Sequence, residues 1–292
     1  MDLGKLGVWT WLDGFSGDEL AAFAQRIEGW GYSALWVPEA VGRDPFSVIG
    51  FLAAHTERLI LATGIANIYA RDPMATKAIW KTLADLAPGR FILGLGVSHR
   101  HLVSGQRGHD YGRPLTAMRN YLEAMDEALF MAREPEEDAP IVLGALRDKM
   151  LGLSASACQG AHPYLVPPDH TRRARDVMGP DALLCPEQMV LAETDATKAR
   201  AIARENLKMY IRLPNYQNNL KQFGFSDADF ADGGSDQLVD SLVCWGEPAK
   251  IAAHVEAHLD AGADHVCVQP FRADGVPGPD EALLECLVGL VG

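Results

Sequence analysis

The stretch "LILATGIANIYARDP", residues 59–73, decides the fold. Residues 59–66 are apolar almost throughout, as expected for a strand of a parallel sheet that is covered on both faces. Gly64 interrupts this strand, and a polar loop follows it. Asp72 and Pro73 then signal the start of a helix, because proline at the first helical position sacrifices no hydrogen bond. The stretch therefore predicts one strand–loop–helix unit.

The same unit recurs along the chain. Helices are predicted over 18–29 and, further along, from Pro73, Pro114, Asp195 and Pro248 onward. Apolar runs alternate with them at residues 6–12, 33–39, 59–66, 90–98, 141–146, 161–166, 188–194 and 265–270. Eight strands alternating with helices in 292 residues favour a single-domain (β/α)8 TIM barrel over residues 1–292. A doubly wound sheet is the alternative, but no glycine-rich fingerprint follows the first strand.

Two segments, about 99–114 and 211–246, are too long for the regular alternation. Long segments of this kind commonly carry binding residues or act as lids. Both are predicted to lie at the C-terminal face of the barrel.

Composition excludes several classes of function. The net charge of −13 disfavours a nucleic-acid partner, whose polyanionic backbone requires clustered basic residues. No apolar run approaches the roughly 20 residues that a membrane-spanning helix needs, and no signal peptide is visible. The five cysteines form no C-x-x-C pair, which favours reduced thiols and a cytoplasmic location.

In barrel enzymes the active site lies at the C-terminal ends of the strands. His99 occupies such a position, and an imidazole with a pKa near 6.5 suits general acid or base catalysis. His109, in the first long segment, is the second candidate for this role. His99 and His101 could also suggest zinc, but a third ligand is not visible, so no metal is predicted.

Three short motifs each allow two interpretations. In "GRFILGLGVSH", residues 89–99, Gly94 and Gly96 either face a narrow barrel interior or remain small so that a flat ligand can approach. The turn in "IVLGALRDKM", residues 141–150, is either an ordinary strand–helix connection or a phosphate site at a helix N-terminus. The two histidines of "HVEAH", residues 254–258, are predicted to lie on a solvated helix face rather than to bind a metal.

Four blocks resemble the luciferase-like monooxygenase superfamily, and most closely its branch that uses the deazaflavin coenzyme F420. They are "GYSALWVPE" (31–39), "TERLILATGIANIYARDP" (56–73), "LAPGRFILGLGVSH" (86–99) and "PIVLGALRDKMLGLSA" (140–155). Their order and spacing extend the resemblance over nearly the whole chain. The resemblance implies a (β/α)8 barrel, a small-molecule substrate and a homodimer.

The resemblance also implies roles for individual residues. It implies a cis peptide bond between Gly64 and Ile65, packed against the deazaflavin ring. The other implied cofactor contacts are Glu39, Asn67, Val97, Ser98, Ala145, Leu146 and Arg147, the last three at the turn that meets the phosphate. Glu39 and Trp11 are expected to shape the catalytic pocket around His99.

Two departures from related enzymes affect the expected activity. Some F420-dependent sugar-phosphate dehydrogenases carry histidine where this chain has Ala40, and a catalytic glutamate where it has His99. Many relatives have glycine where this chain has Arg147. The expected function is hydride transfer to or from C5 of F420. An FMN-dependent monooxygenase and a non-catalytic protein that binds flavin or F420 are the two alternatives.

Overall fold

The computed structural model describes residues 1–291, which contain eleven β-strands and eleven α-helices. The strands are β1 Leu6–Trp9, β2 Ala34–Val37, β3 Ile60–Thr63, β4 Ala66–Asn67, β5 Phe91–Gly96, β6 Ile141–Leu143, β7 Gly160–Ala161, β8 Leu183–Leu184, β9 Glu187–Leu191, β10 Val243–Trp245 and β11 Val266–Phe271. The helices are α1 Gly17–Trp30, α2 Pro45–Ala53, α3 Pro73–Leu86, α4 Pro114–Glu127, α5 Asp148–Ala157, α6 Pro168–Met178, α7 Ala196–Leu207, α8 Pro214–Leu220, α9 Asp236–Leu242, α10 Pro248–Asp260 and α11 Glu281–Leu287.

All strand pairs are parallel, and they form one curled sheet in the order β10-β9-β11-β1-β2-β3-β5-β6-β7-β8. The segment between β8 and β9, residues 185–186, joins β7 to β11. Cys185 N donates to Ala161 O on one side of the segment, and Cys267 N donates to Pro186 O on the other. The sheet thereby closes on itself, which confirms the predicted barrel.

Alternation of side chains along the strands separates two hydrophobic layers. In β2, Leu35 packs in the large outer cluster together with Phe23 of α1. Trp36, the next residue, belongs to a smaller cluster with Trp9 and Cys267 inside the barrel. Because successive side chains of a strand point to opposite faces, one short apolar run contributes to both layers.

The helices α3 and α7 begin where the capping residues and the proline predicted. The Asp72 side chain accepts a hydrogen bond from Ala75 N at 2.9 Å, and Pro73 occupies the first turn of α3. Asp195 caps α7 in the same way, with Lys198 N as the donor. A cap of this kind satisfies a backbone N–H that has no partner within the helix.

Each of the eight apolar runs overlaps a strand, but the prediction was incomplete at four places. The run at 59–66 divides into two strands, β3 and β4, and β4 extends to Asn67. The sixth apolar run yields only the two-residue strand β7, Gly160–Ala161, whereas residues 161–166 were expected. The strands β8 and β10 were not predicted at all. They are two and three residues long, too short to show a periodic pattern.

The two long segments are structured. The first contains a π-helical turn at His101–Gln106, and Tyr111 beyond it donates a hydrogen bond to Ser98 O. The second contains α8, two short 3₁₀ turns, α9 and β10. Buried residues such as Tyr216 and Leu220 pack it against the end of the barrel.

The prediction of a solvated face for "HVEAH" was wrong. His258 is fully buried, and its Nδ1 and Nε2 lie 2.8 Å from Thr171 Oγ1 and 3.0 Å from Gln188 Oε1. His254 Nε2 also contacts Gln188 Oε1, at 3.1 Å. The two histidines join α10 to β9 because α10 lies directly on the barrel.

No helix within residues 1–291 is long and apolar enough to cross a membrane. All five cysteines are free thiols, and burial raises the pKa of Cys158 to about 12.

Candidate functional site

A continuous aromatic wall lies at the C-terminal ends of the strands. Trp11 packs edge-on against Trp9 at 5.3 Å between ring centroids, and Trp9 lies 5.1 Å from Tyr164. Tyr164 is 6.3 Å from Tyr216, which in turn is 5.7 Å from His99. The wall therefore places Trp11 and His99, both predicted site residues, at opposite ends of one surface.

Gly64 contacts Trp9 of this wall, and this close contact explains why the residue has no side chain. Trp9 Nε1 donates a hydrogen bond to Gly64 O at 2.6 Å. A Cβ at position 64 would lie 2.9 Å from two atoms of the Trp9 ring, closer than side chains tolerate. The Gly64–Ile65 peptide bond is cis, as the resemblance implies.

The Ile65 side chain and the Thr63 carbonyl account for the small residues of β5. A Cβ at Gly96 would lie 2.0 Å from Ile65 Cδ1, and a Cβ at Gly94 would lie 1.9 Å from Thr63 O. The space beside Gly94 and Gly96 is therefore filled by the chain itself. Of the two interpretations of this strand, the structure supports small residues that face a narrow interior, and not a gap that admits a flat ligand.

Glu39, at the end of β2, is held in a partly buried ion pair. Arg71 Nη1 lies 2.9 Å and 3.0 Å from its two carboxylate oxygens, and Asn67 N donates to Oε2 at 2.7 Å. The side chains of Glu39 and Arg71 are 6% and 17% exposed. The carboxylate thus joins the end of β2 to the backbone of β4.

The remaining strand-end residues form the floor beside this pair. Asn67 is buried, and its Oδ1 accepts from Tyr69 N at 3.0 Å. Ser98 has a φ of 53°, in the left-handed region that few residues other than glycine adopt. Its carbonyl accepts from Tyr111, and Val97 before it packs against the outer core.

His99 is a largely buried imidazole. Burial lowers its pKa to about 4, the nearby His101 adds to this effect, and a hydrogen bond with the Asn215 side chain opposes it. The ring is therefore neutral at pH 7. The sequence argument assumed an ordinary pKa near 6.5, and this assumption was wrong because the second long segment covers the ring.

The turn after β6 carries the predicted phosphate residues. Ala145 is buried and Leu146 O accepts from the His170 ring at 2.7 Å, whereas Arg147 is exposed. Arg147 precedes α5 without a side-chain cap, and its guanidinium makes no hydrogen bond or ion pair within residues 1–291. Arg100 lies 5.2 Å from the Tyr111 ring centroid, and both Arg147 and Arg100 lower the pKa of Tyr111 against the stronger effect of its burial. Arg147 therefore stands at the N-terminus of α5, and Arg100 lies over the Tyr111 ring.

The sequence argument missed four residues of the site. Tyr164, Tyr210 and Tyr216 contact one another, with ring centroids 5.3 Å apart for the first pair and 5.9 Å for the second. The only signal for the latter two was their position in or beside the second long segment. The fourth residue, Glu187, is a single acidic residue that begins an otherwise uncharged strand.

A metal centre is not part of this arrangement. Within the described part of the chain, no group of three or more histidine, cysteine or carboxylate side chains could hold a metal ion.

Comparison with known proteins agrees with this architecture. A protein of Mycobacterium tuberculosis described as a coenzyme F420-dependent oxidoreductase is 30% identical over 199 residues. The aligned region covers 58% of this chain and 56% of that relative, so the chain spans little more than half of the relative's length.

Two solved structures share the fold over nearly the whole chain. An F420-dependent secondary alcohol dehydrogenase in complex with an F420–acetone adduct has a TM-score of 0.78 at 13% identity, and covers 99% of both chains. The oxygenating constituent of 3,6-diketocamphane monooxygenase from Pseudomonas putida, a type II Baeyer–Villiger monooxygenase in complex with FMN, has a TM-score of 0.72 at 15% identity, over 99% and 98% of the two chains.

The profile of the luciferase-like monooxygenase family matches residues 2–265. Because this match spans most of the chain, the protein belongs to the luciferase-like monooxygenase family.

Proposed function

We propose that the protein is an F420-dependent oxidoreductase that transfers a hydride between C5 of the deazaflavin and a small organic substrate. The F420-dependent description of the M. tuberculosis relative and the F420-bound alcohol dehydrogenase with the same fold support this proposal.

The observation that carries the proposal is the N-terminus of α5, which begins directly after Arg147 and has no side-chain cap. Helix N-terminal N–H groups and guanidinium groups together favour a phosphate. This anion site and the aromatic wall both lie at the C-terminal end of the barrel. A cofactor that joins a flat ring system to a phosphate-bearing chain fits such a pair of features.

Bound F420 would supply the carbon that accepts or donates the hydride. The protein's contribution is to bind and orient. In our proposal Gly64, Ile65, Asn67, Val97 and Ser98 line the ring, and Ala145, Leu146 and Arg147 hold the phosphate. The ion pair between Glu39 and Arg71 fixes the positions of the two strand ends from which these ring contacts come.

His99 is proposed to hold or accept a proton at the substrate. A neutral imidazole can accept the proton of a substrate hydroxyl as the carbon loses its hydride. The Asn215 hydrogen bond orients the ring, and Tyr216 of the aromatic wall packs against it with 5.7 Å between ring centroids. In the reverse direction the same nitrogen would return the proton.

An FMN-dependent monooxygenase is the second candidate. The specific observation in its favour is the FMN-bound monooxygenase with a TM-score of 0.72. FMN also joins a flat ring to a phosphate, so the anion site beside Arg147 serves either cofactor.

Titration of the purified protein with F420 and with FMN, followed by fluorescence quenching, tests the proposal. F420 is expected to bind and FMN to bind more weakly. Arg147→Ala is expected to weaken F420 binding by about 1–3 kcal/mol, the range for hydrogen bonds to charged groups. Arg172→Ala, which removes an exposed guanidinium paired with Asp169, is the matched control and should leave the affinity unchanged.

Two results would contradict this proposal. Binding of FMN without binding of F420 would favour the monooxygenase. Unchanged affinity of Arg147→Ala for F420 would show that the phosphate does not bind at the turn after β6.

A further inference from the structure

A cavity beside Glu39 is not used by the proposed function. Its volume is about 260 Å³, and the loops that follow β2 and β4 form most of its wall. Three arginine side chains from three different segments line it: Arg43 before α2, Arg71 after β4 and Arg107 after the π-helical turn of the first long segment. Because Glu39 lines the cavity as well, the cavity adjoins the strand ends of the candidate site.

Two of the three guanidinium groups have no carboxylate partner. Arg71 pairs with both carboxylates of the cavity, with Glu39 at 2.9 Å and with Asp44. Arg43 and Arg107 make no ion pair within residues 1–291, and their guanidinium groups donate only to backbone carbonyls. The lining residues therefore carry three positive and two negative charges, which leaves one positive charge in excess.

Contacts with the backbone place both unpaired guanidinium groups at the cavity. Arg107 Nη2 donates to Ala40 O at 3.4 Å, across from the first long segment to the loop that follows β2. Arg43 Nη2 donates to Phe15 O. A guanidinium has five N–H donors in a planar fork, so each of these side chains retains donors for a ligand.

The loop between β2 and α2 is held in place and adds backbone donors. Asp13, which does not line the cavity, accepts a hydrogen bond from Arg43 N at 2.7 Å through Oδ1. A Cβ at Gly42 would lie 1.9 Å from the same oxygen, so the loop can approach Asp13 only with glycine there. The N–H groups of residues 40–42 make no hydrogen bond to other described residues. Backbone N–H groups and guanidinium groups together bind oxyanions.

We propose that this cavity binds a carboxylate group of the substrate, with the carboxylate oxygens held by Arg43 and Arg107. This inference rests on the proposed function, since it names the substrate class of the same site. A carboxylate carries one negative charge, which matches the one excess positive charge of the lining. A phosphate monoester carries about 1.5–2 negative charges at pH 7, and the remainder would stand uncompensated beside Glu39 and Asp44.

NMR spectroscopy of the cofactor-free protein, labelled with ¹⁵N in its arginines, tests this assignment. The probes are butyrate, its neutral analogue butyramide and inorganic phosphate, each titrated at pH 7 and constant ionic strength. Arg43→Gln and Arg107→Gln identify the Nε–H signals of the two residues by their loss. Arg43→Lys and Arg107→Lys, which keep the charge, identify them if a glutamine variant fails to fold. Arg172→Gln is the matched control, because it removes an exposed guanidinium on α6 that does not line the cavity.

Butyrate should shift both Nε–H signals and bind more tightly than phosphate, and butyramide should shift neither signal. Arg43→Gln and Arg107→Gln should each weaken butyrate binding about 10-fold, the lower end of the range for hydrogen bonds to charged groups, because both side chains are exposed. Arg172→Gln should leave the affinity unchanged. Signals that butyrate leaves unshifted would overturn the inference, as would an equal response to butyramide or tighter binding of phosphate.

Repetition of the butyrate titration with saturating F420 distinguishes this inference from the proposed function. Butyrate should bind equally well beside F420, because substrate and cofactor occupy the site together. Displacement of butyrate by F420 would assign the cavity to the cofactor and overturn the inference. If F420 binds but butyrate shifts neither signal, the inference fails and the cofactor proposal stands. If butyrate binds at both arginines but F420 does not bind, the carboxylate site stands and the cofactor proposal fails.

Discussion

Replacement of Arg71 by methionine tests whether the main role of Glu39 is to hold the end of β2 against the backbone of β4. Methionine retains an apolar stem of similar reach and removes only the guanidinium. The Glu39 carboxylate, 6% exposed, would then keep the Asn67 N–H at 2.7 Å but lose its cation. Removal of one partner from a buried ion pair costs about 3–5 kcal/mol, because the remaining charge stays buried without compensation.

Other contacts of Arg71 contribute less. Its pair with Asp44, 41% exposed, adds about 0–1 kcal/mol. Its position 4.6 Å from the Phe46 ring centroid adds about 0.5–1 kcal/mol. We therefore expect Arg71→Met to lower the free energy of unfolding by about 3.5–7 kcal/mol, with most of the loss caused by Glu39.

Urea unfolding of four proteins measures this directly: the wild type, Arg71→Met, Glu39→Gln and the double variant. Glu39→Gln removes the buried charge, so the double variant should lose less stability than the two single losses together. Arg172→Met, at an exposed pair with 62% and 74% exposed side chains, is the control and should cost at most about 1 kcal/mol. A loss below about 1 kcal/mol in Arg71→Met, or strict additivity in the double variant, would refute this structural role of Glu39 and leave its carboxylate available for proton transfer.

Three further predictions follow from packing and protonation. Gly94→Ala should cost about 2 kcal/mol or more in urea unfolding, because its Cβ would meet the Thr63 carbonyl; Gly96→Ala should be partly rescued by Ile65→Ala, which removes the Cδ1 and Cγ1 atoms that its Cβ would meet. Stability should be retained above pH 6.5 and lost as pH falls through about 4, because buried imidazoles take up protons only on unfolding. Each contributes up to about 3–5 kcal/mol, and a flat thermal-unfolding profile between pH 7 and pH 4 would contradict this. The residues concerned, with pKa values lowered by burial to about 4, or to about 3 for His258, are His162, His170, His265 and His258. His99→Gln should retain F420 binding and slow single-turnover hydride transfer by about 10²–10⁴-fold, and transfer within a few-fold of wild type would exclude His99 from proton transfer.

The barrel could be predicted from the sequence because each of its main strands is a short apolar run between strong helix signals. The run at 59–66 and the start of α3 at Pro73 are both where the pattern indicated. The pattern failed at β8 and β10, where two or three residues complete the sheet. Their pairing depends on the strands already beside them, Gly160–Ala161 for β8 and Glu187–Leu191 for β9 beside β10, and no local period encodes that.

The same distinction separates the site residues that the sequence predicted from those that it missed. Glu39, Asn67 and His99 follow barrel strands, so chain order alone places them at one face. Tyr210 and Tyr216 reach that face only because the segment around them packs on the barrel end through its own buried cluster. This packing changes the chemistry as well as the shape, since the segment that carries Asn215 and Tyr216 covers His99, and burial lowers the pKa of that imidazole to about 4. The same tyrosines lie around Glu187, where burial without a cation raises the carboxyl pKa to about 8. The neutral imidazole and the neutral carboxylic acid behind one aromatic wall are properties of the assembled site. The residue type alone predicts a negatively charged carboxylate at Glu187.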